Sequence, residues 1–250
     1  MQTRRDWLRS SLGIGGLLLM PPHILSAQEK IEFNPRILEP VIRLSSNENP
    51  YGPSKKVQER IKNSFKHSCR YPYAYSDDLE AILAKKHGVS PESIIVTGGS
   101  TEGLKITGLT YASNGGEIIS GQPTFLAMMD YAKQWGATVK WVPVGDDKGY
   151  DLDEIEKRIS SKTKLIFLCN PNNPTGTLVP AKKLVDFCNT ASKKAIVFSD
   201  EAYYDFIETN NYPTMVDAVK RGEDVIVSKT FSKVYGLAGM RIGYLIAKPE

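Results

Sequence analysis

The sequence predicts an α/β fold with a mostly parallel sheet. Apolar runs of strand length alternate with helix-length segments from about residue 54 onward, and this alternation is typical of a parallel sheet covered by helices. One run, residues 164–169, is almost continuously apolar, as expected for a strand that is buried on both faces. Three of the strands lead into polar loops, at 170–176, 200–203 and 228–233. Ligands gather at the carboxyl ends of strands in such sheets, so these loops predict a binding site.

Composition and charge limit the classes of function. The chain has 250 residues, is 41% hydrophobic and carries a formal net charge of +4, which fits a globular protein with a substantial core. It has no dense basic block, so nucleic-acid binding is not expected. The three cysteines and three histidines lack metal-ligand spacing, so no metal site is expected. At least two of the cysteines, Cys69, Cys169 and Cys188, are expected to be small core residues.

Residues 1–27 are predicted to be a twin-arginine-type signal peptide. Arg4 and Arg5 precede a short apolar run at 12–20, and a small-residue exit follows at Ala27, which is the order expected of an export leader. The run is too short to span a bilayer comfortably, and Gln28 stands where a lipoprotein needs cysteine, so no stable membrane anchor is expected. We therefore expect export to the periplasm. The alternative is a cytoplasmic protein with an incidental basic start.

The next residues are predicted to form an irregular arm and two helices. Residues 28–52 are assigned to the arm because their prolines prevent a long helix, and residues 53–250 are assigned to the main domain. Ser54 caps a helix that runs to about Lys66, with Val57, Ile61 and Phe65 on one face at four-residue spacing. A second helix opens at Asp77 and Asp78, buries Leu79, Ile82 and Leu83, and ends at Gly88.

Strands and helices then alternate to the end of the chain. Strands are predicted at 93–97, 117–120, 138–144, 164–169, 195–199 and 225–227, with the last inside 239–247. Helices are predicted after the turn at 98–103, before Trp135, after an Asp151 cap and from Pro180. The glycine-rich turn at 98–103 feeds a helix N-terminus, whose free N–H groups suit a phosphate. Alone, that turn is equally compatible with a tight connection that binds nothing.

The loop after the sixth strand combines hydroxyls, a lysine and an arginine. Thr230 and Ser232 precede Lys233, and Arg241 follows two glycines. Hydroxyl and guanidinium groups donate hydrogen bonds to phosphate, and a lysine amine can form a Schiff base with an aldehyde. Taken alone, the loop could equally be a surface loop with ordinary cations, and only the other polar loops favour a binding site.

Four motifs, in this order, resemble the fold type I pyridoxal-phosphate enzymes of aminotransferase class I/II, especially their histidinol-phosphate branch. They are Asn-Glu-Asn-Pro-Tyr-Gly-Pro at 47–53, Pro-Asn-Asn-Pro-Thr-Gly at 171–176, Asp-Glu-Ala-Tyr at 200–203, and Ser-Lys at 232–233 with a trailing Gly-Leu-Ala-Gly-Met-Arg. The resemblance runs from about Leu44 to Ala247. It implies a three-layer α/β/α large domain, pyridoxal 5'-phosphate as cofactor, and transfer of an amino group from an L-amino acid to a 2-oxo acid.

The resemblance also implies a role for each site residue. Lys233 is expected to form the Schiff base and move the substrate α-proton, while Asp200 pairs with the pyridine nitrogen. Tyr203 and Asn173 are expected to hydrogen-bond the ring hydroxyl, and Phe125 to stack on the ring. The expected phosphate ligands are Ser100, Thr101, Thr230, Ser232 and Arg241, joined by Tyr71 from a second subunit, so a homodimer is implied. Phe125 could instead be an ordinary core aromatic, and Tyr71 a local surface aromatic.

The resemblance leaves the reaction open. Pyridoxal-phosphate decarboxylases and carbon–sulfur lyases share these motifs, and a non-catalytic protein on the same fold is a further alternative. Members of the family continue into a small C-terminal domain that carries the arginine for the substrate α-carboxylate, whereas this sequence stops at Glu250. We therefore expect the small domain to be absent, and the chain to bind the cofactor better than it transfers amino groups.

Overall fold

The structure, a computed structural model, describes residues 44–249. The predicted signal peptide at 1–27 and the predicted arm as far as residue 43 lie outside the described residues. Residues 44–54 contain turns and no helix or strand, and the regular elements begin at Lys55.

A seven-stranded sheet organises the fold. Its strands are β1 Ile94–Thr97, β2 Glu117–Gln122, β3 Thr138–Pro143, β4 Thr163–Cys169, β5 Ile196–Asp200, β6 Val225–Thr230 and β7 Gly243–Ile246. They lie in the order β1-β7-β6-β5-β4-β2-β3, and β7 alone in this sheet runs opposite to the other six strands. The mostly parallel sheet is therefore confirmed, and each predicted strand is present with small shifts at its ends.

Seven α-helices occur in the described part of the chain. They are α1 Lys55–Ser64, α2 Tyr73–His87, α3 Ser100–Ala112, α4 Ala127–Lys133, α5 Leu152–Lys157, α6 Ala181–Ala191 and α7 Val216–Lys220. Two predicted caps are confirmed: Ser54 accepts a hydrogen bond from the Val57 N–H, and Asp151 accepts one from the Glu154 N–H. Pro180 precedes α6 instead of occupying its first turn. Helix α7 was not predicted from the sequence, because five residues are too few for helical periodicity to show.

The apolar face of the first helix is largely uncovered, and the burial predicted for the second helix was wrong in part. Phe65 lies just beyond α1 and is 69% exposed, and Val57 and Ile61 are only partly buried. Helix α2 begins at Tyr73, before the predicted opening at Asp77, and Ile82 is 65% exposed. Regular spacing identifies an apolar face, but it does not show whether another element covers that face.

The core lies on both faces of the sheet, as a three-layer α/β/α arrangement requires. On one face, strand residues such as Ile166 and Val197 pack with Leu83 of α2, Ile155 of α5 and Leu184 of α6. On the other, strand residues pack with α3 and α4, through Phe167, Phe198, Leu104, Met128 and Met129. Burial of each large apolar side chain contributes about 1.5–3 kcal/mol. Cys169 and Cys188 are buried and Cys69 is exposed, which confirms two core cysteines.

Two kinds of feature are absent from the described residues. Among residues 44–249, no helix is both long and apolar enough to cross a membrane. The same residues contain no group of three or more His, Cys, Asp or Glu side chains arranged to hold a metal ion.

Candidate functional site

The polar loops after β4, β5 and β6 meet at one edge of the sheet. These strands are parallel neighbours, with Cys169 opposite Asp200 and Asp200 opposite Ser228. A cavity of about 560 Å³ opens at this edge. It is lined by every predicted site residue except Tyr71, namely Ser100, Thr101, Phe125, Asn173, Asp200, Tyr203, Thr230, Ser232, Lys233 and Arg241. The topology thus brings together residues that are widely separated in the sequence.

Tyr71 does not line this cavity. It lies just before α2, is 83% exposed, and stacks against Tyr73 with ring centroids 5.7 Å apart. The expected contact of Tyr71 is with the phosphate site of a second subunit, and the structure contains one chain. That contact stays a prediction.

Asp200 ends β5 and is almost completely buried, with 2% of its surface exposed. Burial raises the pKa of its carboxyl to about 7, although the N–H of Ala202 donates to Oδ1 over 3.3 Å and favours the ionised form. The Lys233 charge also lowers this pKa, but less than burial raises it. A buried carboxylate of this kind is stabilised by a positive partner. The protonated nitrogen of a bound aromatic ring would supply that partner.

Lys233 presents its amine to the same cavity. Its Nζ donates to the backbone oxygens of Ser46, over 3.0 Å, and Asn47, over 3.2 Å. The amine also lies 5.3 Å from the centroid of the Tyr203 ring. Burial lowers the pKa of the amine, while the charges of Asp200 and Glu48 act in the opposite direction. A lowered pKa leaves more of the amine in its neutral, nucleophilic form.

The Tyr203 hydroxyl is shared by two side-chain amides. Asn47 Nδ2 donates to it over 3.0 Å, and Asn173 Nδ2 over 3.4 Å. Asn47 lies in the first of the four motifs, and no role was predicted for it. Its contact with Tyr203 depends on how the segment before α1 lies across the cavity, which local pattern does not reveal. Together these groups offer O–H and N–H donors to an oxygen atom on a bound ring.

A separate group of cavity residues suits an anion. Helix α3 begins at Ser100, so the N–H groups of Ser100 and Thr101 lack partners within the helix. Arg241 lies close by, with Nη1 3.4 Å from Ser232 Oγ and 2.8 Å from the Ala238 carbonyl oxygen. Gly99 has φ +83°, and a Cβ there would lie 2.2 Å from the Arg241 guanidinium. Only glycine leaves room for that guanidinium beside the helix N-terminus.

A buried ion pair that the sequence did not predict lies outside the cavity lining. Lys229 Nζ lies 2.7 Å from Glu201 Oε2, and both side chains are largely buried. Glu201 also accepts hydrogen bonds from Thr214 Oγ1 and the Met215 N–H, each over 2.7 Å. The pair links the ends of β5 and β6, next to Asp200 and Thr230. The only sequence signal was that Lys229 alternates with Ser228 and Thr230 along β6, which places it on the opposite face of the sheet.

Comparison with known proteins gives consistent relatives. Residues 39–250 match the family described as aminotransferase class I and II. A histidinol-phosphate aminotransferase from Bacillus velezensis is 38% identical over 218 residues, which cover 87% of this chain and 60% of that protein. A solved structure of the histidinol-phosphate aminotransferase from Sinorhizobium meliloti in complex with pyridoxal-5'-phosphate is similar, with a TM-score of 0.76 and 27% identity, covering 82% of this chain and 55% of that one.

A further solved structure shares the fold. It is an L-threonine-O-3-phosphate decarboxylase from Porphyromonas gingivalis, with a TM-score of 0.68 and 24% identity, and the match covers 79% of this chain and 60% of that one. This chain spans 60% of the length of the Bacillus velezensis protein. The relatives therefore establish the fold and the family over the described residues. From these matches and the cavity geometry, the chain belongs to the aminotransferase class I and II family.

Proposed function

We propose that this chain carries the cofactor-binding part of a pyridoxal-phosphate-dependent aminotransferase, which moves an amino group from an L-amino acid to a 2-oxo acid. The observation that carries the proposal is that the buried Asp200 carboxyl and the Lys233 amine line one cavity with the anion-binding groups of α3 and Arg241. Family membership and the 38% identity to a histidinol-phosphate aminotransferase support it.

The cavity residues fit pyridoxal 5'-phosphate. When bound, this cofactor supplies an aldehyde that reacts with amines and a ring that withdraws electrons from the linked substrate. Asp200 would stabilise the protonated ring nitrogen, and Tyr203 and Asn173 would donate to the ring hydroxyl. Phe125 would pack on the ring. The phosphate would be held by Ser100, Thr101, Thr230, Ser232 and Arg241, and each hydrogen bond to a charged group contributes about 1.5–3 kcal/mol.

Lys233 is the group that we expect to move a proton. Its Nζ is held near the cavity by the backbone oxygens of Ser46 and Asn47. In the neutral form, Nζ would take a proton from the substrate α-carbon and deliver it to the cofactor carbon that carried the aldehyde. Burial favours that neutral form by lowering the pKa of the amine. Donation to the carbonyl oxygens of residues 46 and 47 would orient the amine while it is not bound to the cofactor.

Borohydride trapping tests the role of Lys233. Purified protein is incubated with pyridoxal 5'-phosphate and reduced, and the modified residue is located by mass spectrometry. We expect one adduct at Lys233, none in Lys233→Ala, and an unchanged adduct in Lys182→Ala, whose lysine is exposed. An adduct that persists in Lys233→Ala, or its absence from the wild type, would contradict the proposal. Product analysis with amino donors then separates amino transfer from release of carbon dioxide or of pyruvate and ammonia.

We also propose that the chain forms a homodimer and is exported. The exposed aromatic residues around Tyr71 support the dimer. The leader-like order of residues 1–27 supports export to the periplasm. Cell fractionation measures this directly: the wild type should occur in the periplasm, and a variant with lysine in place of Arg4 and Arg5 should stay in the cytoplasm. Equal distribution of the two proteins would disprove export by this route.

A further inference from the structure

Tyr150 lies outside the cavity, but its hydroxyl is the centre of a buried hydrogen-bond network. The residue is 9% exposed and follows β3, before α5. Its hydroxyl donates to Asn172 Oδ1 over 2.8 Å and accepts from the Cys169 N–H over 3.2 Å. Thr124 Oγ1 lies 2.6 Å from the same hydroxyl and 3.0 Å from Asn172 Oδ1. One hydroxyl therefore connects the segment of Thr124 with the segment that contains Cys169 and Asn172.

Both of these segments carry residues that line the cavity. Thr124 precedes Phe125, Asn172 precedes Asn173, and Cys169 lines the cavity itself. The network is also complete at its far side, because Asn172 Nδ2 donates to the Pro123 carbonyl oxygen over 3.1 Å and to Thr175 Oγ1 over 2.8 Å. The segments before Phe125 and Asn173 are thus tied directly to each other, as well as through Tyr150.

The fold leaves a specific space for the Tyr150 ring. Gly121 lies in β2 next to the ring, and a Cβ on this glycine would come within 2.2 Å of it. Burial raises the pKa of the Tyr150 hydroxyl well above its usual value, so the group stays protonated and can donate at every working pH. Buried networks in which each polar group is satisfied make neighbouring segments rigid.

We infer that Tyr150 is a positioning residue, whose hydroxyl fixes the distance between the Phe125 side and the Asn173 side of the cofactor cavity. This inference rests on the proposed function. Phe125 would contact the ring of the cofactor, and Asn173 would donate to its hydroxyl. Tyr150 reaches neither atom, and acts through the backbone of the residues that do. Loss of its hydroxyl should loosen both contacts at once.

Tyr150→Phe tests the inference, because it removes the hydroxyl and keeps the ring. The two measurements are the affinity for pyridoxal 5'-phosphate and the pH midpoint of the visible absorbance of the lysine-linked cofactor. We expect affinity to fall about fivefold or more, as for the loss of one net hydrogen bond. We expect the midpoint to move to higher pH. A donor at the ring oxygen withdraws negative charge from the nitrogen that links Lys233 to the cofactor. A weaker hydrogen bond from Asn173 therefore favours the protonated form of that nitrogen.

Tyr244→Phe is the matched control. Tyr244 is also buried, and its hydroxyl lies 3.0 Å from His87 Nε2, away from the segments that Tyr150 connects. The Tyr244→Phe variant should be less stable than the wild type but should keep the wild-type cofactor affinity and pH midpoint. If Tyr150→Phe behaves in the same way as Tyr244→Phe, Tyr150 is only a stabilising residue and the inference is wrong. A wild type that takes up no cofactor would instead overturn the proposed function, and the inference with it.

Substitutions at Thr124 supply a second test in case Tyr150→Phe does not fold. Thr124→Val keeps the size of the side chain and removes the hydroxyl that bonds Tyr150 and Asn172. Thr124→Ser restores a hydroxyl. We expect the valine variant to show the lower affinity and the raised midpoint, and the serine variant to resemble the wild type. Equal values for valine and serine would overturn the inference.

Discussion

Asp200 gives the cofactor-free protein a predictable dependence on pH. Burial raises the pKa of its carboxyl from 3.8 to about 7. Between these pH values the folded protein holds a proton that the unfolded chain has released. The contribution of Asp200 to stability is therefore complete below about pH 4 and is lost as the pH rises through about 7. A difference of this size corresponds to a few kcal/mol at most, since one pKa unit is about 1.4 kcal/mol.

Asp200→Asn measures this effect. Denaturant unfolding of the cofactor-free protein at about pH 5 and pH 8 brackets the raised pKa. We expect the free energy of unfolding to fall more for the wild type than for Asp200→Asn over this interval. The variant should also bind pyridoxal 5'-phosphate more weakly, because the amide cannot neutralise the ring nitrogen. Identical pH profiles for the two proteins would show that the carboxyl is ionised normally in the folded state.

The sequence revealed the single residues that take part in chemistry better than those that support them. Lys233 and Asp200 could be predicted because each lies in a distinctive local motif, and the topology then places both in one cavity. The roles of Tyr150 and of the Lys229–Glu201 pair could not be predicted from the sequence. Their partners are remote in the chain, and a hydrogen bond between remote residues depends on how whole loops lie against each other.

At the scale of elements, strands were predicted more accurately than helical faces. A strand that is buried on both faces shows itself as a continuous apolar run, as in β4, whatever its neighbours are. A helical face depends on what covers it, and the exposed side chains of Phe65 in the turn after α1 and Ile82 in α2 show this dependence. Helix α7 escaped prediction because it is shorter than two helical turns.

The contact between β7 and the start of α3 yields a prediction at this scale. Gly243 lies between β1 and β6, and a Cβ there would be 2.4 Å from the Ser100 backbone nitrogen and 3.0 Å from the Lys229 carbonyl oxygen. Gly243→Ala must therefore displace the first turn of α3. We expect it to destabilise the fold by about 1–3 kcal/mol, as overpacking of a core does.

The same displacement should weaken phosphate binding, because the Ser100 N–H belongs to the proposed phosphate site. Titration with pyridoxal 5'-phosphate and denaturant unfolding measure the two effects separately. Gly239→Ala is the control for unfolding, since a Cβ at this position meets no atom within 4 Å. Wild-type stability and affinity in Gly243→Ala would mean that α3 and β7 are not in fixed contact.

At the scale of the whole molecule, one feature of the described residues is a surface rich in exposed apolar side chains. Phe65, Tyr71, Tyr73, Tyr75 and Met240 are each at least half exposed. Three of them, Phe65, Tyr75 and Met240, line a cavity of about 670 Å³ together with Ile61 and the arginines Arg60 and Arg70. Large exposed apolar patches usually mark interaction sites. A symmetric dimer would cover such a patch with its own copy.

Sedimentation equilibrium tests the proposed dimer. We expect the wild type to be dimeric and Phe65→Asp to dissociate at least about tenfold more readily, because a buried carboxylate without a partner opposes association. Trp135→Asp is the matched control: this aromatic is 52% exposed but lies outside the patch, before β3, and its variant should remain dimeric.

The prediction extends to Tyr71, whose hydroxyl is expected to reach the phosphate of the other subunit. Tyr71→Phe should therefore lower cofactor affinity while the protein stays dimeric, whereas Phe65→Asp should lower affinity only at concentrations where it is monomeric. A wild type that is monomeric at every concentration would contradict both parts.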